Sequence, residues 1–145
     1  MQHMWADTLL ALERAHLLRL IVWGGASLVV GSLLLALLRL RDHRSALLHH
    51  FGLQTTLWGA IDLVLALLGL QRLGLRDLAG ATRLDRFLWL NVGLDVGYVM
   101  VGLTLLVIGW RAPQRPGLVG AGLAVVMQGS ALAILDLLLA GQIAR

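Results

Sequence analysis

The chain has 145 residues, 59% of them hydrophobic and 14% charged; a soluble domain carries about 25% charged residues, so this one has too little polar surface to dress a water-soluble globule. It has 12 basic residues, every one an arginine, against 8 acids, and its pI is near 11.3; the arginines stand at the ends of apolar runs, where they reach headgroups, so the basic balance points to a bilayer and away from nucleic acid. No cysteine is present, which excludes disulfides, thiolate metal sites and thiol redox chemistry.

In chain order, four segments reach the roughly 20 apolar residues that a spanning helix needs. The residues before the first, Asp7 to His16, read as helical, with Asp7 or Thr8 as N-cap and Leu9, Leu10 and Leu12 on an apolar side. No Gly or Pro interrupts them, so they are expected to extend the first span as one long helix. The start of the chain lacks a basic n-region and its first apolar run is too long for an h-region, so that run is expected to be a permanent span and not a signal peptide. The spans are placed at about residues 17–38, 51–70, 87–110 and 118–140 of a single transmembrane domain covering 1–145. None shows the strict alternation of a barrel strand.

Three connections separate the spans: Arg39 to His50, Gln71 to Arg86, and Arg111 to Gly117 with both prolines, Pro113 and Pro116. They make sequential spans antiparallel neighbours, and the fold class is an all-α, four-transmembrane-helix up-down bundle. Arg14, Arg19, Arg72, Arg76, Arg83, Arg86 and Arg145 fall on the side of the termini, and Arg39, Arg41, Arg44, Arg111 and Arg115 on the other. That bias puts both termini in the cytoplasm. Gln54 and Asp62 in the second span match Gln128 and Asp136 in the fourth, and Val30-Gly31 matches Val101-Gly102, a hint of two helical hairpins in tandem.

Asp62, Asp95 and Asp136 lie inside apolar segments, where an Asp costs roughly 2.5–3.5 kcal/mol at a helix centre. The leucine-rich surroundings offset that cost, but the acids must face protein and not lipid. Asn91, Asp95 and Tyr98 share one stripe, as do Gln54, Trp58 and Asp62. These residues and Gln128 predict a polar seam between the second, third and fourth spans, with Arg19 or Arg86 as cation for Asp136. Intramembrane hydrogen-bonding groups of this kind either lock helices together or mark a proton, ion or ligand path.

Gly93 and Gly97 form a G-x-x-x-G, as Gly117/Ala121 and Gly120/Ala124 form small-x-x-x-small pairs, and all are expected to pack within one chain. His16, His49 and His50 are expected at the interfaces as titrating groups. His50 is about 18 Å along the helix from Asp62, too far for a shared metal. Trp5, Trp23, Trp89 and Trp110 suit an aromatic belt, and Trp58 the polar stripe. No catalytic motif and no cofactor motif is present.

Leu90-Asn91-Val92-Gly93-Leu94-Asp95-Val96-Gly97-Tyr98, with Trp58-Gly59-Ala60-Ile61-Asp62, Gln128-Gly129 and Leu135-Asp136, resembles a family of small bacterial four-helix integral membrane proteins that is a domain of unknown function. The resemblance covers roughly Phe51 to Ala140. It implies a fold, a bacterial inner-membrane location and a set of polar positions, with an amide in place of Asp62, and no activity. The leading expectation is a non-enzymatic membrane protein whose seam orders the bundle and is suited to a small polar ligand or ion. The second is a proton- or cation-coupled transporter or channel subunit, built as a homo-oligomer or as an accessory chain of a larger complex. The third is a lipid-modifying enzyme with Asp95 and Asp136 as acid and base.

Overall fold

The computed structural model describes residues 2–112 and 115–143; Pro113 and Arg145, used above for the third connection and the charge count, lie outside the described residues. The described chain forms four helices, α1 (Gln2–Leu40), α2 (Ala46–Gln71), α3 (Leu78–Arg111) and α4 (Pro116–Ile143). Each is long and apolar enough to cross a membrane.

The helix ends follow from local chemistry. Asp7 and Thr8 are not caps, since α1 is already helical at Gln2. α1 closes with His43 N–H donating to Leu38 O (2.9 Å) and Asp42 N–H to Arg39 O (3.3 Å). That is a Schellman arrangement, with Asp42 at φ 46° where Gly is usual. Ser45 caps α2 by accepting from Leu48 N–H. Asp77 caps α3 by accepting from Gly80 N–H at 2.7 Å, so α3 starts nine residues before its apolar core at about 87, in what reads from sequence as loop. Pro116 opens α4 at the position where a missing N–H does no harm.

Buried positions on α2, Gly52, Thr55, Gly59, Asp62 and Ala66, alternate by three and four, the spacing of helices packed nearly along one another. Small residues there let backbone meet backbone. A methyl on Gly59 would come within 2.5 Å of Leu28 N and 2.7 Å of Gly24 O on α1. On the other hairpin, a methyl on Gly122 would come within 2.6 Å of Gly102 O and 2.8 Å of Leu106 N on α3, and one on Gly129 within 3.0 Å of Asp95 O. Gly31 and Gly102 occupy matching crossings too, against Thr56 N and Val126 N. Positions 24, 28 and 31 of α1 therefore correspond to 95, 99 and 102 of α3, and 52, 56 and 59 of α2 to 122, 126 and 129 of α4. The two hairpins repeat one packing scheme. The Gln54/Asp62 and Gln128/Asp136 pairs stand out of that register; Val30-Gly31 and Val101-Gly102 stand in it.

The hairpins join mainly through α2 against α4, where Gly117 and Gly120 admit His50 and Leu47. No Cα of α2 comes within 8 Å of a Cα of α3. The expectation that sequential helices are all neighbours fails at this pair. The small-residue faces of α2 are taken by α1 and α4, and the Gly102/Gly109 face of α3 by α4. At the end where α1 and α3 begin, Leu9, Leu84, Leu88 and Leu139 form a buried apolar cluster that holds the hairpins together.

Gly93 and Gly97 do not pack within the chain: nothing lies within 4 Å of the space a side chain there would fill. Gly122→Val should therefore lower stability in detergent by about 1–3 kcal/mol through overpacking, while Gly93→Ala leaves it equal or raises it by up to about 1 kcal/mol through helix propensity. Thermal unfolding of the two variants checks this; equal losses at both positions would contradict the crossings described.

Candidate functional site

The divergence of the hairpins leaves a cleft of about 550 Å³ between α2 and α3, floored by α4 and bounded by the first half of α1. Its walls are mostly apolar, with Leu65 and Leu68 on α2 facing Phe87 and Leu94 on α3. All four are exposed, so the cleft is open sideways along the gap. At one end Trp58 and Tyr98 meet edge to face, ring centres 4.9 Å apart. At the other end Arg76 grips Glu13 with two hydrogen bonds, Nε to Oε2 at 2.8 Å and Nη2 to Oε1 at 2.5 Å. The adjoining Asp77 cap fixes the loop that carries Arg76. Those bonds to Glu13 raise the Arg76 pKa above its ordinary value, against a smaller opposing effect of burial.

The acids converge here. Asp62, Asp95 and Asp136 are 6%, 5% and 6% exposed, all three line the cleft, and their carboxyls interact electrostatically. Asp136 Oδ1 lies 3.2 Å from Nε2 of His16. His16 is thus an interior partner and not an interfacial group, and it takes the place expected for Arg19 or Arg86. Both arginines are exposed, and neither forms an ion pair among the described residues. Among the described residues Asp62 and Asp95 bond to nothing; each has a buried Oδ2 without a partner.

Of the residues singled out from sequence, Trp58, Asp62, Asn91, Asp95, Tyr98 and Asp136 line this one cleft. Gln54 does not; it lines a separate surface hollow with His50 and Arg115. Gln128 is also elsewhere, 1% exposed, accepting from Trp23 Nε1 at 2.6 Å. Trp23 is therefore a tie between α1 and α4 and not a belt residue. Sequence reasoning missed Glu13, His16 and Arg76. The signal for the first two was present: Leu9, Glu13, His16, Leu20, Gly24, Ser27 and Gly31 continue one stripe of α1 in steps of three and four. Among the described residues no three acids or histidines stand close enough to hold a metal ion.

Four long apolar helices in two equivalent hairpins, with an acid-lined cleft between them, define the class: a four-helix bundle compatible with a multi-pass membrane protein. Residues 19–137 match a family of unknown function (DUF6992), and the chain belongs to that family. The match takes in α1 from Arg19 onward as well as the stretch from Phe51 to Leu137. No curated protein and no solved structure matches the chain.

The Trp23–Gln128 bond gives a direct check. Trp23→Phe and Gln128→Leu, singly and together, should show a coupling of about 0.6–2 kcal/mol in thermal unfolding. Additive losses would mean that the two side chains do not bond.

Proposed function

We propose that the protein is a multi-pass membrane protein whose inter-hairpin cleft binds a small polar or ionic ligand at Asp62 and Asp95. One observation carries this reading: two carboxyls, each more than nine-tenths buried, face an open cavity with oxygens that no group among the described residues satisfies. Buried polar atoms normally have partners, and an orphan carboxyl oxygen costs more than an orphan amide. Side chains that existed to lock helices would bond across them, as Gln128 does with Trp23 and Asp136 with His16; Gln128 Nε2 and His16 Nδ1 also lack a partner, but each of those side chains makes one cross-helix contact, and Asp62 and Asp95 make none among the described residues. The polar seam thus divides into a structural half and a binding half.

In this reading α1, with 39 residues, is about 58 Å long and projects beyond a hydrocarbon layer of about 30 Å. The projecting end carries Glu13, Arg76 and most of the arginines, and faces the cytoplasm.

Transport is the second reading, and the repeated hairpins favour it. Two equivalent units with a site between them are the arrangement in which one rocks against the other around a fixed ligand.

Asp95→Asn and Asp62→Asn distinguish binding from helix locking. Binding residues are retained at a cost in stability, so each variant should keep its unfolding temperature or raise it. A loss of about 2 kcal/mol or more, comparable to breaking a buried tie, would assign these acids to structure and end the proposal.

A further inference from the structure

We propose that the ligand of this cleft is an amphiphilic organic cation, an apolar body carrying a single ammonium-type charge, which enters sideways from the bilayer between α2 and α3. The inference rests on the binding role of Asp62 and Asp95 and names its chemistry.

Charge sets the sign. Among the described residues the buried carboxyl oxygens in the cleft without a partner are Oδ2 of Asp62 and of Asp95, and no arginine or histidine forms an ion pair with them. Arg76 is committed to Glu13, the Nε2 of His16 faces Asp136, and Arg72, which also lines the cleft, stands about 15 Å along α2 from Asp62. A positive guest supplies the missing partner, and a negative one would meet three aspartate carboxyls lining the same cleft. Geometry sets the kind of cation. Among the described residues the acids and histidines are too dispersed to close around a metal ion, whereas a charge spread over an organic group can lie between Asp62 and Asp95 without tight coordination. At about 550 Å³ the cavity falls within the range of about 300–1,000 Å³ typical of small-molecule sites. The walls set the body. Leucines of all four helices and Phe87 line most of the cavity, which suits an apolar guest. The Trp58–Tyr98 pair adds aromatic rings at one end, where a cation gains a further attraction. The route follows from the exposed Leu65, Leu68, Phe87 and Leu94 along the gap: an apolar molecule dissolved in acyl chains reaches the acids without crossing water.

Tetraphenylphosphonium and tetraphenylborate have nearly the same shape and apolar surface and opposite charge, and their binding to the purified protein in nanodiscs, corrected for empty nanodiscs, tests the proposal. Saturable binding of the phosphonium is expected, weakened at least tenfold in Asp95→Asn and in Asp62→Asn and restored by Asp95→Glu, with no saturable binding of the borate. Phosphonium binding that is unchanged in both Asn variants, or equal binding of the borate, overturns it. If neither ion binds while Asp95→Asn keeps its stability and abolishes proton or sodium flux in liposomes, the organic cation is wrong and the binding site stands. If both Asn variants unfold readily, the site itself falls, and the ligand class with it.

Discussion

Glycine at the helix crossings is the constraint from which the rest of this structure follows. At Gly24/Gly59 and at Gly102/Gly122 the backbones approach so closely that even a methyl group has no room. Between apolar helices such approach is what gives association its strength, because lipid tails already satisfy hydrophobic side chains and only close packing and hydrogen bonds discriminate protein from lipid. Each hairpin is therefore a tight unit. α4 spends one face on α3 and another on α2, and is the helix with the widest buried arc. α2 and α3 are left apart, and the cleft is the space between them.

That space explains why the polar residues fall into two kinds. Where helices touch, Gln128 with Trp23, His16 with Asp136 and Glu13 with Arg76 find partners on the neighbour, while Gln128 Nε2, His16 Nδ1 and Thr55 Oγ1 have none among the described residues. Asp62 and Asp95 stand beside the glycine crossings of their own hairpins and also line the cleft, and each keeps a buried oxygen that finds no partner among the described residues. A site that is short of a partner in the resting protein is poised for one from outside, and this is the basis of the proposed binding role.

Much of this was legible in the residues. Four long apolar runs, short connections and inward-turning acids follow from hydropathy and from the penalty on a bare carboxyl in hydrocarbon. The stripe of Asn91, Asp95 and Tyr98 follows from helical period alone. Partners were harder, because a stripe fixes which side of a helix a residue occupies and not which helix it meets. His16 sits at the margin of an apolar run and reads as interfacial; only the lean of α1 over α4 brings it to Asp136. Trp23 has the position of a belt residue and the environment of a core one. Gly93-x-x-x-Gly97 has the spacing of a packing motif, yet the crossings of α3 use Gly102 and Gly109, and the earlier pair faces away. The repeated Gln–Asp spacing in α2 and α4 is likewise out of step with the glycine crossings that relate the hairpins.

The central claim is that Asp62 and Asp95 line a cleft reachable from the apolar phase, while Asp136 is held by His16. An apolar carbodiimide, added to the protein in lipid at mildly acidic pH, reports this by forming an acylurea on carboxyls that it can reach from the bilayer. Peptide mass analysis should place the adduct on Asp62, Asp95 or both, with Asp136, Asp77 and Asp85 unmodified. Modification of Asp136 with Asp62 and Asp95 untouched would contradict the account.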